Sequence, residues 1–281
     1  AQYRYRDGWE SIRVLKEEVR VKGQAAQVAE LAFTRHGPVI YKDASKRRAY
    51  AVRSCWLEPG MSPYFGSIDY MRARDFKAFQ RAMLNWGAPT ENQVYADVKG
   101  NIGWVPGGLA PKRPNWDGLL PVPGDGRYEW AGFWRGDQLP WSYNPPKGWL
   151  ATANAYNIPD GYPATLRKLG FEWTNPSRYT RVNEVLGSLP RISIEDSEQL
   201  QNDILSIPAR RLMALLAPLT PNDANARRAF ELLRGWDARQ PAESPQAALF
   251  EVWQTRHLRK AFREAVLPPG TAAALPSTDM T

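Results

Sequence analysis

Cysteine and histidine are nearly missing from this sequence: Cys55 stands alone, and His36 and His257 are the only imidazoles in 281 residues. One thiol cannot close an internal disulfide, and with two imidazoles it cannot assemble a zinc site from nitrogen and sulfur ligands. Long apolar runs are missing too. The longest uncharged stretch, Ala265–Thr278, holds three prolines and falls short of the ~20 apolar residues that a bilayer span requires, so no membrane helix is expected. Also absent are Gly-x-x-x-x-Gly-Lys-Ser/Thr, Gly-x-Gly-x-x-Gly, His-Glu-x-x-His and Gly-x-Ser-x-Gly. Phosphate cradles, zincins and nucleophile elbows are therefore disfavoured. What is present is ordinary for a globular chain, with 43% hydrophobic and 23% charged residues, 21 glycines and 24 prolines. That excludes wholesale disorder and fibrous repeats. The length suits one large α+β domain or about two average ones.

The formal charge of +8 is concentrated at the front, where residues 1–50 carry 11 basic and 6 acidic side chains. Residues 191–264 are nearly balanced, 11 against 10. The basic residues alternate with apolar ones along apparent strands, as solvated faces do, instead of forming the stripe of a nucleic-acid binder. Neither nucleic acid nor membrane is an expected partner. The chain opens at Ala1, without methionine, directly inside strand-like sequence. It reads as a cut or processed piece.

Residues 1–57 alternate in polarity about an Arg6-Asp7-Gly8 turn and predict a meander of strands. Phe76, Phe79 and Met83 recur at helical spacing behind Asp75, a suitable N-cap, and predict a helix within 67–84. Val94–Trp104 predicts a hairpin about Lys99-Gly100-Asn101. Residues 106–147 are dense in glycine, proline and tryptophan and predict a long loop, with Trp104, Trp116, Trp130, Trp134 and Trp141 as its own small core. From 176 onward the apolar period becomes 3.6. Ser193 and Asp196 form a capping-box variant opening a helix that runs to Leu216 with a break at Pro208, and Ser244-Pro245 opens another. Three segments result: a β-rich part over 1–175, a helical part over 176–267, and a small, polar, proline-rich tail or truncated connection over 268–281. Strands first and helices later argue for the α+β class.

Few side chains offer chemistry. His257 lies in a charged helical stretch and reads as a surface residue; His36, in Arg35-His36-Gly37-Pro38, reads as a turn-fixing imidazole with general-base catalysis as the alternative. The twelve tryptophans with Asp97, Asp117, Asp125 and Glu129 leave a glycosidase or carbohydrate-binding reading open, since glycosidases need two carboxyls about 5–10 Å apart.

An ordered set of motifs says more. Thr34-Arg35-His36-Gly37-Pro38-Val39-Ile40 is followed by Tyr95-Ala96-Asp97 with Gly100-Asn101-Ile102-Gly103, then by Leu120–Gly124 with Glu129-Trp130, then by Asn144–Gly148 leading to Ala151-Thr152-Ala153-Asn154. Arg178-Tyr179-Thr180-Arg181-Val182, Gln201-Asn202-Asp203 and Gly235-Trp236-Asp237 complete the series. Together they resemble the β chain of the penicillin acylase (penicillin amidase) family, amidases of the N-terminal nucleophile hydrolase superfamily. The resemblance covers nearly the whole chain. It implies part of an αββα sandwich, with antiparallel strands followed by helices.

It also implies a reaction. In such enzymes autoproteolysis of a precursor exposes a serine at the β-chain N-terminus, whose own α-amine, of ordinary pKa about 7.7–8.0, serves as the base. The serine attacks an amide carbonyl, an acyl-enzyme forms, and water releases the acid. An asparagine side chain and a backbone N–H hold the oxyanion. Asn154 matches that asparagine, with Ala155 in place of the second asparagine of the usual doublet. Arg181 matches the arginine that orients it. Ser67 and Glu91 fall near positions lining the acyl pocket, and a Glu91 facing the pocket would disfavour a plain phenylacetyl-like group. Some members bind calcium through hard oxygen ligands. Here Gly118 offers only a carbonyl and Leu166 stands at an expected carboxylate position, so no cofactor is expected. Because Ala1 has no hydroxyl and Ser11 is internal, the expected partners are an α chain, the missing front of the β chain and a small N-acyl amide. The polypeptide alone is expected to be inactive. A non-catalytic structural or binding module on the same scaffold is the other reading. Family members are commonly exported, which implies a periplasmic site. Candidate substrates include β-lactam acyl groups and acyl-homoserine lactones, hence roles from antibiotic biosynthesis to the deacylation of acyl-homoserine lactones.

Overall fold

The Arg6-Asp7-Gly8 turn forms as the sequence suggests, with Arg6 at φ +50° between β1 (Gln2–Tyr5) and β2 (Gly8–Ser11). A computed structural model describes residues 1–61, 66–268 and 270–271. Most of the expected tail therefore lies outside the described residues. The chain divides into two compact units, the first comprising Ala1–Leu150 with Ile158–Glu172, the second Ala151–Asn157 with everything from Trp173 onward.

In the first unit, the alternating stretch after β2 gives β3 (Arg13–Val19), β4 (Gln27–Thr34), β5 (Gly37–Asp43) and β6 (Arg48–Ala51), hydrogen-bonded in sequence order as an antiparallel meander. Its register runs from Arg13↔Phe33 to Val19↔Gln27, and an irregularity between Val39 and Tyr41 interrupts β5 against β6. Cys55–Leu57 forms a 3₁₀ turn capped by Ser54 where the apolar run suggested continued strand. Val28 and Ile40 are each 67% exposed. Val14, Val19, Val28, Leu31 and Ile40 of this meander are thus left uncovered by the described residues, a condition that marks interaction surfaces.

The predicted helix between 67 and 84 is two. α1 (Ser67–Tyr70) ends before α2 (Phe76–Ala82), whose N-terminus is capped by Asp75 accepting from the Ala78 N–H at 2.7 Å. Phe76, Phe79 and Met83 pack with Trp86, Tyr95 and Val105 into the core of this unit. Their partner surface is β7 (Glu91–Ala96) and β8 (Ile102–Gly107), the expected hairpin. Glycine is needed on β8 because a Cβ on Gly103 would stand 2.3 Å from the Phe76 ring. The segment expected to be loop also contributes strands. β9 (Leu109–Pro111) pairs with β10 (Phe133–Arg135), and β11 (Ser142–Tyr143) adds to the free edge of β8. Their shortness hid them among prolines and glycines. Nor do the five tryptophans make one core: Trp104 is 5% exposed but Trp141 44%. Trp130 and Trp134 instead carry cations, with Arg53 4.4 Å and Lys112 4.3 Å from their ring centroids. A loop poor in aliphatics uses its aromatic faces as platforms for basic side chains.

Asp97 locks the hairpin turn, accepting from the backbone N–H groups of Lys99 and Asn101, the Asn101 amide and the Tyr95 hydroxyl. These bonds, the Asn101 amide foremost, hold its carboxyl down at about 2. Burial, with the Asp97 contact second, pushes Tyr95 up to about 12. A carboxyl depressed in the folded state is more readily protonated once unfolded, so its stabilisation is present above its ordinary pKa and disappears as pH falls. The expected result is an unfolding midpoint that drops between pH 4 and 2 by thermal melts, with a visibly shallower drop in Asp97→Asn. Identical pH slopes for the two proteins would assign the acid sensitivity elsewhere.

In the second unit α3 (Ser177–Ser188) precedes α4 (Ile194–Gln201), opened by the predicted capping box of Ser193 and Asp196. The expectation of a single helix broken at Pro208 is corrected. α4 stops at Asn202, and Ser206 caps a new helix, α5 (Ile207–Leu216), with Pro208 in its first turn. Proline is tolerated there because its missing N–H would have had no helical partner. α6 (Ala224–Leu233) and α7 (Pro245–Val252) follow, the latter capped by Ser244, before a π-helical stretch over 253–258 and α8 (Arg259–Val266). Ala209, Leu233, Ala238 and Phe250 form the core.

Candidate functional site

Asn154 sits on the short connection over 151–157, next to α3 in the chain's second unit, with backbone φ +57°. Asparagine tolerates this left-handed conformation better than most residues, yet it is uncommon enough to need fixing by its surroundings. The fixing is visible. The Asn154 carbonyl accepts from the Thr174 N–H at 3.0 Å and from the Thr174 hydroxyl at 2.7 Å. Beside it Ala155 is 2% exposed, so the position after Asn154 is a packed one that holds a small apolar side chain. Tyr156 meets Trp173 edge-on at 5.3 Å.

The Asn154 side chain is oriented by charge. Its Oδ1 accepts from Arg178 Nη2 at 2.8 Å. With the carbonyl end committed to a guanidinium, the NH₂ end is turned away from it. It has no partner among the described residues and lies on an exposed residue. A hydrogen bond from a cation to an amide oxygen withdraws electron density and polarises the N–H groups, making them better donors. The arrangement can hold a developing negative oxygen with a neutral donor backed by a positive charge.

Arg181, one turn further along α3, is engaged elsewhere. Its Nη2 and Nε donate to Asp203 Oδ2 at 2.6 and 3.1 Å, and Nη1 lies 3.5 Å from Glu184. These contacts, Asp203 first, raise the guanidinium and hold the Asp203 carboxyl below its usual range. Arg178 and Arg181 are spaced i, i+3 and share a helix face, which is why sequence alone does not separate them. The signal that would have separated them is Asp203: an acid in the quoted Gln201-Asn202-Asp203 motif predicts a partner, and Arg181 is the one it takes.

The remaining candidates lie in the first unit. Ser67 is half-buried at the start of α1, and Glu91 is exposed at the start of β7, paired with Gly107. His36 Nε2 is 2.7 Å from Glu129 Oε1, and Arg53 Nη1 donates to Glu129 Oε2 at 2.8 Å, so the imidazole is tied to a carboxylate already shared with an arginine. The other carboxylates of the glycosidase reading are equally committed: Asp97 to the hairpin turn, Asp125 to Arg127 and Asp117 to the Leu119 N–H. Burial pushes the Cys55 thiol up, the opposite of an activated nucleophile. His257 is exposed on the π-helical stretch. For calcium the residues present do not fit. A Cβ built on Gly118 would stand 3.0 Å from the Arg113 guanidinium, and Leu166 shares a cleft with Lys112, Arg113 and Lys168. No group of three or more histidine, cysteine, aspartate or glutamate side chains suited to a metal occurs among the described residues. Nor is any helix among them long and apolar enough to cross a membrane.

A family model described as penicillin amidase matches residues 1–278. Penicillin G acylase of Escherichia coli is 29% identical over 95% of this chain and 33% of its own length. The acyl-homoserine lactone acylase QuiP of Pseudomonas syringae pv. tomato is 34% identical over 92% of this chain and 33% of its own. Among solved structures, a thermostable penicillin G acylase from Alcaligenes faecalis superposes with a TM-score of 0.74 at 25% identity, covering 97% of this chain and 50% of that one. The chain thus spans about a third of the length of the curated relatives it matches.

Proposed function

Because this chain belongs to the penicillin amidase family, we propose that it is the oxyanion-stabilising part of an amidohydrolase that cleaves a linear N-acyl amide through an acyl-enzyme. The observation that carries this reading is the Asn154 amide, its oxygen held by Arg178 and its NH₂ unengaged. In this proposal a serine outside residues 1–281 attacks the substrate carbonyl, its proton passing to its own α-amine. The carbonyl oxygen becomes negative and accepts from Asn154 Nδ2. Collapse expels the amine, which takes up the proton, and water then releases the acid by the same tetrahedral chemistry. Asn154 contributes because its donor is already aimed before charge develops, so no reorganisation is required at the moment of reaction. Arg178 is a positioning residue acting through Asn154. Arg181 serves the fold, cross-linking α3 to the segment that holds Asp203. Ser67 and Glu91 are proposed to face the acyl group.

Partners follow from surface as well as length. The uncovered apolar residues of the β3–β6 meander suit burial against further polypeptide of the same enzyme, and a catalytic serine is proposed to arrive with it. The test uses the full-length protein carrying this chain and a panel of N-acyl amides: phenylacetyl and other aryl-acyl amides, β-lactam amides and acyl-homoserine lactones. Acid and amine should appear in equal amounts from at least one, and quenching during turnover should give a protein adduct heavier by that acyl group. A folded protein that releases acid from none of them, or releases it without any adduct, would remove the reading.

A further inference from the structure

The first unit holds a cleft of about 350 Å³ whose walls bring Lys112, Arg113 and Lys168 together with Pro114, Trp134 and Leu166. No carboxylate lines it. None of the three cations has an acidic partner within ion-pair distance among the described residues, and a fourth, Arg167, lies 5.3 Å from the Trp134 ring centroid with one nitrogen on the Gln138 carbonyl. Glu172 and Asp117 act on Arg113 only through space, and burial outweighs them, lowering its pKa.

Unmade hydrogen bonds occur on Arg113 of the cleft wall and on Trp116 and Arg167, which stack with its Arg113 and Trp134. Of the five buried side-chain polar atoms without a partner among the described residues, four belong to Arg113 (Nε and Nη1), Trp116 (Nε1) and Arg167 (Nε). All four are donors, so what the region is short of is an acceptor. Buried donors are normally satisfied, and a cluster left open points to a group not contributed by the described chain. Arg113, half-buried and without an ion-pair partner among the described residues, asks for the same thing, an anion, and Lys112 and Lys168 stand on the same walls. The apolar side chains on the same walls ask for a ligand that is only partly charged.

We propose that this cleft is a binding site for a small free organic carboxylate, its oxygens among Lys112, Arg113 and Lys168 and its apolar part against Pro114, Trp134 and Leu166. The chemistry is opposite in sign to a calcium site. A cation placed here would meet three like charges, whereas a carboxylate meets three donors. The proposal does not depend on amide hydrolysis and is read by binding alone.

The experiment follows the thermal midpoint of the full-length protein and measures binding by calorimetry, with sodium benzoate, inorganic phosphate and calcium chloride at matched ionic strength. Benzoate should raise the midpoint and bind saturably below about 10 mM. Phosphate should bind more weakly, having nothing to place on the apolar wall. Calcium should not raise the midpoint. In the double variant Lys112→Gln/Lys168→Gln, which leaves the packed Arg113 in place, benzoate affinity should fall on the order of tenfold or more as two charge-assisted contacts are lost. Benzoate binding that is absent, or unchanged in the double variant, overturns the proposal. So does phosphate binding as tight as benzoate, calcium stabilisation, or a crystal structure of the whole protein with a carboxylate side chain already seated in the cleft.

Discussion

Asn154→Ala should lower turnover of an N-acyl amide by about 10²–10³-fold, equivalent to ~2.7–4 kcal/mol of barrier, while the unfolding midpoint of the full-length protein stays close to that of the parent. The expectation follows from where the side chain sits. Its carbonyl end is bound to Arg178, its donor end is unengaged and exposed, and the residue's backbone is held independently by Thr174. Alanine removes the donor without disturbing those backbone bonds. A donor used on the oxyanion affects the transition state more than the bound substrate, so kcat should fall with KM little changed. Asn154→Asp is a sharper form of the test: it keeps the size but replaces NH₂ by a negative oxygen, and should be at least as damaging as alanine. Near-parental turnover in either variant would take Asn154 out of the reaction.

The two arginines of α3 offer an internal control. Arg178→Ala frees the Asn154 amide to rotate and should lower kcat with little effect on stability. Arg181→Ala leaves Asp203 without its guanidinium and should act chiefly on the unfolding midpoint. Asn154 stands out in the sequence as a candidate because a rare combination of motifs surrounds it. The arginine bonded to its side chain is Arg178, one turn before the Arg181 to which the resemblance points; residues i and i+3 project on the same side and composition gives no reason to prefer either. What decides between them is the competing acid at Asp203, a contact that closes over 22 residues of sequence separation. Long-range pairing of this kind leaves no periodic trace.

The fold divides the same way. Elements defined by local chemistry were readable: the Asp75, Ser193 and Ser244 caps all accept the backbone N–H expected of them, and the turn at Lys99-Gly100-Asn101 closes the hairpin. Pro208 was misread because proline breaks a helix interior but begins a helix equally well, and only the cap at Ser206 tells which applies. β9, β10 and β11 were hidden because strands of two or three residues carry too little alternation to register above the surrounding turns. The cationic cleft was invisible for a different reason: Lys112, Arg113 and Lys168 are unremarkable basic residues until the pairing of β9 with β10 and the return of the chain near 165 gather them.

Phe250→Ala should destabilise the second unit by about 3–5 kcal/mol. Phe250 is 1% exposed and packs with Ala209, Leu233 and Ala238, and its ring lies 5.6 Å from Trp236 and 6.2 Å from Trp253. Two of its three buried core neighbours are already alanines, and the indole of Trp236 is anchored to the Arg239 carbonyl at 3.0 Å, so the walls have little freedom to collapse into the space left behind. That places the cost toward the upper part of the range. Phe262, on α8 and 62% exposed, supplies the control: Phe262→Ala should change stability by less than about 0.5 kcal/mol. Urea unfolding of the three proteins measures the difference, and equal midpoints for Phe250→Ala and the parent would mean that the core is not where the structure puts it. The consequence for activity should differ in kind from that of Asn154→Ala. α5, which carries Ala209, is tied to α3 by Arg210 donating to Glu184, and α3 carries Arg178. Below the transition that scaffold stays assembled and turnover should be retained. As temperature rises, Phe250→Ala should lose activity in step with the unfolding of its helices, whereas Asn154→Ala should be slow at every temperature at which it is folded.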